Sequence, residues 1–285
     1  MMRATAQEFI DSLAGRHACE FVEDFAAPYP VRVIGSLLGV PASDFARFHA
    51  WSRDLSLAFG SRIATERPRI EAALGNLCDY ADGLVARLRR EPGEDLTSAL
   101  IALESAGGDC LDPDELRAMI TVLIFGGQDT TQCQIACSIA TFARHPEAWH
   151  FLAAHPEHAM RAAEECLRYE GSGSGNPRTA LEDIDYRGLH IPAGTVILPS
   201  APAANRDPAV YPDPDRFDIL RDHAQPMLTF GGGVHFCLGA SLARYEIAEV
   251  LPMLAQRMPK LALDGEIEWR RGSLIRGPER MMIRF

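Results

Sequence analysis

Residues 230–244 read F-G-G-G-V-H-F-C-L-G-A-S-L-A-R, and they place Cys237 between three glycines and an amphipathic helix predicted to begin near Leu238. A reactive thiolate needs backbone N–H donors, a helix N-terminus and partial shielding from water. Gly231 and Gly233 let the backbone approach a flat group closely and turn sharply at positive φ. Taken alone, the stretch also fits a glycine-rich turn in which Cys237 is a small buried hydrophobe.

The full spacing of this stretch resembles the haem-binding loop of the cytochrome P450 family. The matching positions are Phe230, Gly231, Gly233, His235, Cys237 and Gly239. The resemblance implies that Cys237 is the thiolate ligand of the iron in haem b, iron protoporphyrin IX. It also implies that His235 and Arg178 pair with the haem propionates, since a buried dianion needs imidazole and guanidinium donors. In isolation, an ordinary turn histidine is the better interpretation of His235.

Composition limits the class of protein. The chain has 285 residues, 47% of them hydrophobic and 24% charged, with a formal net charge of −11. These values predict a soluble globular protein of one large domain or two small ones, and the acidic balance argues against nucleic acid as a partner. The resemblance implies a single, partial domain over residues 1–285. Seven cysteines without C-x-x-C pairs fit reduced thiols better than disulfides or a zinc site. Without a long apolar run or a signal segment, we expect a cytoplasmic protein with no membrane association.

The N-terminal part of the chain reads as a series of helices. Apolar spacing and Gly or Pro breaks predict helices over residues 3–13, 21–38, 44–57 and 67–90. Pro28 and Pro30 are expected to interrupt the second helix, and Ser43 to cap the third. The segment 60–68 is predicted to be a mobile link between two helices.

A longer helix is predicted from Asp112 to Arg144, because Asp112, Pro113 and Glu115 form a capping signature and nothing later ends the pattern. Its length is roughly 32 residues, or about 48 Å. Residues 126–131, G-G-Q-D-T-T, interrupt its apolar centre. The Thr130 hydroxyl can bond the carbonyl of Gly126, so the helix is expected to open locally there. The alternative is helix packing through small residues with a solvated aspartate.

This central stretch resembles the oxygen-activating segment of the same family. On that resemblance Asp129 relays protons, and Thr130 stabilises the iron-bound oxygen species by hydrogen bonding. The chemistry agrees, because oxygen activation in a dry pocket requires protons delivered to one place. A buried Asp129 also needs a partner to offset the cost of its burial.

A further pair, Glu165 and Arg168, lies three residues apart on one face of a helix predicted over 156–169. Alone, such a pair is usually a solvated surface ion pair. Arg216, in the stretch P-D-R-F, makes the set resemble the family's structural triad of Glu165, Arg168 and Arg216, which supports the haem loop from behind and has no catalytic role. Glu164 is the competing carboxylate, and the spacing favours Glu165.

These features predict a mainly α fold with a small antiparallel β region, the latter from β-formers in residues 178–184 and 189–198. The resemblance implies a cytochrome P450 fold that lacks its front part, helices A to C, and begins at about helix D. A misassigned start codon or a fragment would each explain this. The pair of helices around residues 44–90 would then cover the substrate pocket, which residues 171–176 and 273–278 are expected to line.

The resemblance further implies a haem-thiolate monooxygenase that hydroxylates or epoxidises a small organic substrate with O2. Two electrons would come from NAD(P)H through a ferredoxin or flavodoxin partner, since the sequence carries no nucleotide-binding fingerprint of its own. The alternative is a catalytically inactive haem-binding fragment or a decayed member of the family.

Overall fold

Helices make up most of the fold, as the sequence predicts. The computed structural model describes residues 1–105, 110–222 and 227–285. Its helices are α1 Met2–Ser12, α2 Pro28–Leu37, α3 Phe45–Ser56, α4 Ile63–Arg90, α5 Leu96–Ser105, α6 Pro113–Gly126, α7 Asp129–Phe142, α8 Pro146–Ala154, α9 Ala159–Tyr169, α10 Ala201–Ala204 and α11 Ala240–Arg257. Within the described ranges, no helix combines the length and the apolar character needed to cross a bilayer.

The strands are short, and each pairs antiparallel with its neighbour. They are β1 Ala18–Glu20, β2 Arg178–Thr179, β3 Ile184–Tyr186, β4 Leu189–Ile191, β5 Val196–Ile197, β6 Ala262–Leu263, β7 Glu268–Trp269, β8 Pro278–Arg280 and β9 Met282–Arg284. One sheet has the order β1-β9-β6, and the pairs β2-β5, β3-β4 and β7-β8 form separate ribbons. The predicted antiparallel region over 178–198 is therefore confirmed, as two ribbons.

Helix α7 lies in the core. All of its residues except Thr130 are buried, and its apolar side chains pack with those of α8, α9 and α11. A second apolar cluster joins α2, α3, α4 and α6. Each fully buried Leu, Ile or Phe side chain contributes roughly 1.5–3 kcal/mol to such clusters. The junction between α6 and α7 consequently joins two separately packed cores.

The helix predicted from Asp112 to Arg144 is two helices, separated at Gly127 and Gln128. The predicted capping box is present at its start, where the Asp112 carboxylate accepts a hydrogen bond from the Glu115 N–H at 2.8 Å. The helical hydrogen-bond pattern ends near the centre of this stretch. There the Gln128 N–H donates to the Phe125 carbonyl, three residues back, at 3.4 Å, and not to the carbonyl four residues back. The local opening predicted from the sequence is thus confirmed, as a complete break.

Several helix starts differ from the predictions because local turns replace them. A short π-helical segment, Val22–Ala26, precedes α2, and Pro28 begins α2 instead of interrupting a longer helix. Pro28 is tolerated there since a first-turn N–H has no helical partner. Ser43 does not cap α3: it lies inside a 3₁₀ turn, Ala42–Asp44, and Asp44 occupies the N-cap position.

The link between α3 and α4 is hydrogen-bonded to a C-terminal turn, although the sequence predicts a mobile segment over 60–68. Helix α4 already begins at Ile63. The Ser61 N–H donates to the Gly272 carbonyl at 2.6 Å, and the Leu274 N–H donates to the Phe59 carbonyl at 3.0 Å. Gly272 has a φ of +64°, and a Cβ at this position would lie 2.5 Å from the Ser61 hydroxyl oxygen. A glycine is therefore needed where the link meets the C-terminal turn.

Candidate active site

Cys237 lies at the end of a tight loop that leads into α11. Gly231 and Gly233 have φ angles of +72° and +66°, values that favour glycine. The Cys237 N–H closes the loop by donating to the Phe230 carbonyl at 3.0 Å. The cysteine side chain is exposed. Helix α11 begins at Ala240, slightly later than predicted.

A cavity of about 1030 Å³ lies beside Cys237, comparable to the largest pockets that hold small organic ligands in proteins. It is lined by most of the site residues predicted from the sequence, namely Cys237, His235, Arg178, Phe230, Gly231, Gly239 and Thr130. The two segments expected to line the pocket do so through Ser172, Gly173, Gly175, Asn176, Leu274 and Ile275. Gly233 serves the turn of the loop and is not part of the lining.

A second wall of the cavity is the break between α6 and α7. The Thr130 hydroxyl donates to the Gly126 carbonyl at 2.9 Å, as predicted from the spacing of the two residues. Both residues line the cavity. Phe59, from the α3–α4 link, reaches the same cavity and stacks on Phe125 with ring centroids 5.7 Å apart. The helix pair expected to cover the pocket therefore contributes Phe59 to its lining.

Asp129 does not line the cavity, although the sequence predicts that it acts together with Thr130. Its carboxylate is 4% exposed and accepts two hydrogen bonds from the Arg270 guanidinium, at 2.6 and 2.8 Å. Arg270 follows β7 and is the partner that a buried aspartate requires. The carboxylate that is predicted to relay protons is therefore held in a bidentate ion pair with Arg270.

The two residues expected to bind propionates lie at the cavity rim, and both are exposed. Arg178 belongs to β2, and its guanidinium donates to the Pro177 carbonyl at 3.0 Å. His235 ends the short 3₁₀ turn Gly233–His235 within the cysteine loop. The structure therefore brings a guanidinium and an imidazole to the same cavity as the thiol.

The residues around the cavity fit the haem b that the resemblance implies. A Cβ added at Gly126 or Gly239 would meet no atom within 4 Å, so both glycines leave open space for a flat macrocycle. One thiol, one guanidinium and one imidazole match an iron and its acidic side arms. Cys237 would hold the iron, with Arg178 and His235 at the macrocycle's edge.

Glu165 and Arg168 form a buried ion pair, and both side chains have no exposed surface. The guanidinium donates to both carboxylate oxygens, at 2.7 and 2.8 Å. Its remaining nitrogen donates to the carbonyls of Asn205 at 3.0 Å and Pro214 at 2.8 Å. The contact predicted for Glu165 is confirmed, while Glu164 instead accepts from Arg244 of α11 at 2.5 Å.

The sequence prediction that the Arg216 side chain closes this triad is wrong. The Arg216 carbonyl points inward and accepts from Arg168 at 3.2 Å and from Arg221 at 2.9 Å. Its guanidinium consequently faces solvent, where it is 70% exposed and lies 3.5 Å from Asp218. Arg221 reaches the carboxylate instead, with its Nε 3.3 Å from Glu165 Oε2.

Asn205 connects this buried pair to the cysteine loop, a role that the sequence analysis missed. Its side chain donates to the Thr229 hydroxyl at 2.8 Å and accepts from the Leu228 N–H at 2.7 Å. Thr229 directly precedes Phe230, where the loop begins. The network around Arg168 is therefore hydrogen-bonded to the segment that leads into the loop. Asn205 is the C-cap of the four-residue helix α10, which is too short to give a periodic signal that would have identified it.

Glu246 of α11 is a second residue that the sequence analysis missed. It lines the cavity and is 1% exposed, and neither of its oxygens has a hydrogen-bond partner in the part of the chain that the structure describes. Burial raises the pKa of the Glu246 carboxyl well above its usual range and so favours its neutral form. Leu242 and Val250, four residues to either side, mark this face of α11 as apolar and could have identified the glutamate as buried.

We expect Glu246→Gln to stabilise the protein increasingly as pH rises. Between about pH 4.3 and the raised pKa of the folded state, only the unfolded chain ionises this glutamate, so unfolding releases a proton and stability falls by up to about 1.4 kcal/mol per pH unit. Below that pH both states are protonated and the penalty disappears. Urea unfolding at about pH 4 and about pH 8 measures the difference. The exposed Glu266→Gln serves as control, and a Glu246→Gln effect that is the same at both pH values contradicts the prediction.

Comparison with known proteins agrees with this geometry. A family model described as Cytochrome P450 matches residues 159–259. Nocardicin C N-oxygenase of Nocardia uniformis subsp. tsuyamanensis is 42% identical over 287 residues, which cover 97% of this chain and 70% of that protein. Cytochrome P450 monooxygenase PikC of Streptomyces venezuelae is 37% identical over 295 residues, which cover 100% of this chain and 69% of that protein.

Solved structures extend the similarity to the whole described fold. The structure of P450BioI in complex with an acyl carrier protein ligated to hexadec-9Z-enoic acid superposes with a TM-score of 0.92 at 33% identity. The match covers 100% of this chain and 73% of that chain. A ligand-free structure of CYP164A2 from Mycobacterium smegmatis gives a TM-score of 0.90 at 36% identity. The chain therefore belongs to the cytochrome P450 family, whose members are haem b monooxygenases.

Proposed function

We propose that this chain hydroxylates or epoxidises a small organic substrate with O2, using electrons that NAD(P)H supplies through a ferredoxin-type partner. The observation that carries the proposal is one cavity lined by both the Cys237 loop and the helix break at Thr130. When bound, haem b supplies the redox-active iron that activates O2. Cys237 would bind the iron, and Arg178 and His235 would hold the acidic edge of the macrocycle.

Thr130 acts through its hydroxyl oxygen. Its proton is committed to the Gly126 carbonyl, 2.9 Å away, so a lone pair of Oγ1 is free to accept a hydrogen bond from the cavity. A threonine held in this way stabilises a proton-bearing group beside it and orients that proton. Phe125 and Phe59 stack at the same wall and help to exclude water, which strengthens such polar contacts.

Asp129 supplies protons when its pair with Arg270 opens. The Arg270 side chain is 21% exposed whereas Asp129 is 4% exposed, so the pair lies between the protein interior and solvent. Once it has left Arg270, the Asp129 carboxylate can take a proton from solvent water and pass it to a water on the cavity side, which returns it to the ionised form. The bidentate geometry makes the paired state the resting state.

The substrate class follows from the cavity and from the relatives. The lining combines apolar side chains with a few polar groups and has a volume of about 1030 Å³, typical of a site for an organic molecule. Relatives are named for nocardicin C N-oxygenation, mycinamicin IV hydroxylation or epoxidation and vitamin D3 25-hydroxylation. Nocardicin C is a reasonable first probe, assayed for incorporation of oxygen from ¹⁸O2.

The electron route can be tested without a substrate. Under carbon monoxide, NADPH with a ferredoxin reductase and ferredoxin should produce the red-shifted Soret band of a thiolate-ligated ferrous haem. The same mixture without ferredoxin should give no band, because the chain carries no nucleotide-binding fingerprint to accept electrons from NADPH. A band that forms at the same rate without ferredoxin contradicts the proposed partner. Dithionite reduction provides the positive control.

The alternative is a haem-binding chain without monooxygenase activity. It predicts the same carbon monoxide band on dithionite reduction, but no oxygenated organic product when ferredoxin, its reductase and NADPH are supplied. The intact Thr130–Gly126 bond and the Asp129–Arg270 pair favour the active form, since a decayed site has no need to retain a costly helix break. Incorporation of oxygen from ¹⁸O2 into an organic product distinguishes the two functions, because oxygen uptake alone can also come from peroxide formation.

We expect Thr130→Ala to retain haem while diverting electrons to peroxide. The change removes one hydrogen bond at a partly exposed position, so the free energy of unfolding should fall by only about 1 kcal/mol. Peroxide formed per NADPH oxidised should rise several-fold, and Thr130→Ser, which keeps the hydroxyl, should restore the wild-type value. An unchanged peroxide yield in Thr130→Ala would remove the proposed role of the hydroxyl.

A further inference from the structure

The break between α6 and α7 is held from outside by three different elements. A Cβ at Gly127 would lie 2.8 Å from the Ile34 side chain, so α2 packs directly against the backbone there. Asp129 is fixed by Arg270, which follows β7. Between them, Gln128 contacts α3. The backbone that carries Thr130 is therefore positioned by neighbours, since its own helical ladder is interrupted.

The Gln128 side chain replaces a backbone hydrogen bond that is lost at the helix break. In a continuous helix the Gln128 N–H would donate to the Ile124 carbonyl, but here it turns to Phe125 at 3.4 Å. The Gln128 side-chain amide takes its place and donates to the Ile124 carbonyl at 2.7 Å. Gln128 is 1% exposed, so an unfilled carbonyl at this depth would cost about 1–3 kcal/mol.

His49 of α3 holds the other end of the same amide. Its Nδ1 lies 3.3 Å from Gln128 Oε1, and because this oxygen only accepts, His49 donates. Burial lowers the pKa of His49, partly opposed by this hydrogen bond. The charged groups that act on the ring are Arg53 of α3 and Asp129 of α7. A neutral ring protonated at Nδ1 satisfies the contact.

Helix α3 leads into the link that reaches the cavity, and it connects to the break through this contact. Its C-terminal link carries Phe59, which lines the cavity and stacks on Phe125. A movement of this link that carries α3 with it would lengthen the bond between His49 and Gln128. The Gln128 side chain would then be held at one end only, by the Ile124 carbonyl, and the geometry of the break beside Thr130 would change.

We infer that His49 and Gln128 are positioning residues: they fix the helix break beside Thr130 and transmit the position of α3 to it. This inference rests on the proposed oxygen-activating role of Thr130. Neither side chain lines the cavity, so both act through Thr130 and its carbonyl partner Gly126.

The test uses haem-loaded protein, three single variants and the double variant that combines His49→Phe with Gln128→Leu. His49→Phe keeps the ring and removes the donor, His49→Asn keeps a donor near the Nδ1 position, and Gln128→Leu removes both amide bonds. Hydrogen–deuterium exchange of residues 126–132 reports the break, and peroxide formed per NADPH reports oxygen activation. His150→Phe, at an exposed position on α8, is the matched control. His49 is only half-buried, so His49→Phe carries the test should Gln128→Leu fail to fold.

His49→Phe should speed exchange over 126–132 by up to about 10-fold, the equivalent of one lost hydrogen bond. It should also raise peroxide yield, and His49→Asn should restore both values. The double variant should differ little from Gln128→Leu alone, because the two residues act through one contact. By linkage, Gln128→Leu should also speed exchange in α3 around His49.

Unchanged exchange over 126–132 in His49→Phe overturns the inference, as does faster exchange with an unchanged peroxide yield. Unchanged exchange of α3 in Gln128→Leu overturns the coupling between the helices. These failures are distinct from a failure of the proposed function, because Thr130→Ala tests the oxygen role without altering His49 or Gln128.

Discussion

Cys237→Ala is expected to abolish the carbon monoxide band of the reduced protein that is characteristic of thiolate ligation, and with it monooxygenase activity. Alanine offers no lone pair to the iron, and losing even a supporting partner of a metal ligand costs about 10- to 100-fold. Activity should therefore fall by more than about 100-fold. The Cys237 side chain is exposed, so its removal leaves no buried cavity and the chain should keep its helical circular dichroism.

The matched control is Cys110→Ala, since Cys110 is the other exposed cysteine in the described part of the chain. It should leave the carbon monoxide band unchanged. Survival of the band in Cys237→Ala would show that another residue binds the iron, and the assignment of the site would fail. Loss of the band in both variants would instead indicate a general effect of removing thiols.

Arg168→Ala is expected to have the largest effect on stability. The change leaves the fully buried Glu165 carboxylate without its bidentate partner and frees the carbonyls of Asn205 and Pro214. Removing one member of a buried pair costs about 3–5 kcal/mol, a large part of the roughly 5–15 kcal/mol by which a folded protein is stable. Urea unfolding and haem retention measure the loss, and the variant should release haem at a temperature that wild type tolerates.

Arg216→Ala and Arg221→Ala complete this experiment. The Arg216 guanidinium is 70% exposed, so its removal should cost no more than about 1 kcal/mol. The Arg221 side chain is 10% exposed and reaches Glu165 at 3.3 Å, so its loss should fall between the other two. If Arg216→Ala were as unstable as Arg168→Ala, the Arg216 side chain would have to contribute to the buried ion pair, which contradicts the structure.

Much of the local structure could be predicted from residues close together in the chain. The capping box at Asp112, the bond from Thr130 to Gly126 and the pairing of Glu165 with Arg168 each span three or four residues of a helix. Helix geometry fixes such distances in advance. The order of the motifs along the chain resembles that of one family, which predicts that Cys237 and Thr130 share a site. Both residues line the same cavity.

The contacts that could not be predicted join residues distant in sequence or depend on side-chain direction. The partner of Asp129 is Arg270, and the partner of Gln128 is His49; no local pattern connects either pair. The inward carbonyl of Arg216 decides which arginine reaches the carboxylate, and two arginines five residues apart look alike in sequence. Such features depend on tertiary packing, which periodicity does not encode.

The link between α3 and α4 bears on how this cavity could acquire new substrates. Its hydrogen bonds to the C-terminal turn join backbone atoms of Phe59, Ser61 and Leu274, and such bonds do not depend on which side chains these residues carry. Gly272 is the exception, because a Cβ there would strike Ser61. Mutations at Phe59 or Leu274, which both line the cavity, can thus alter its shape while the cover keeps its attachment. Evolution could change the preferred substrate at these positions without rebuilding the enclosure around it.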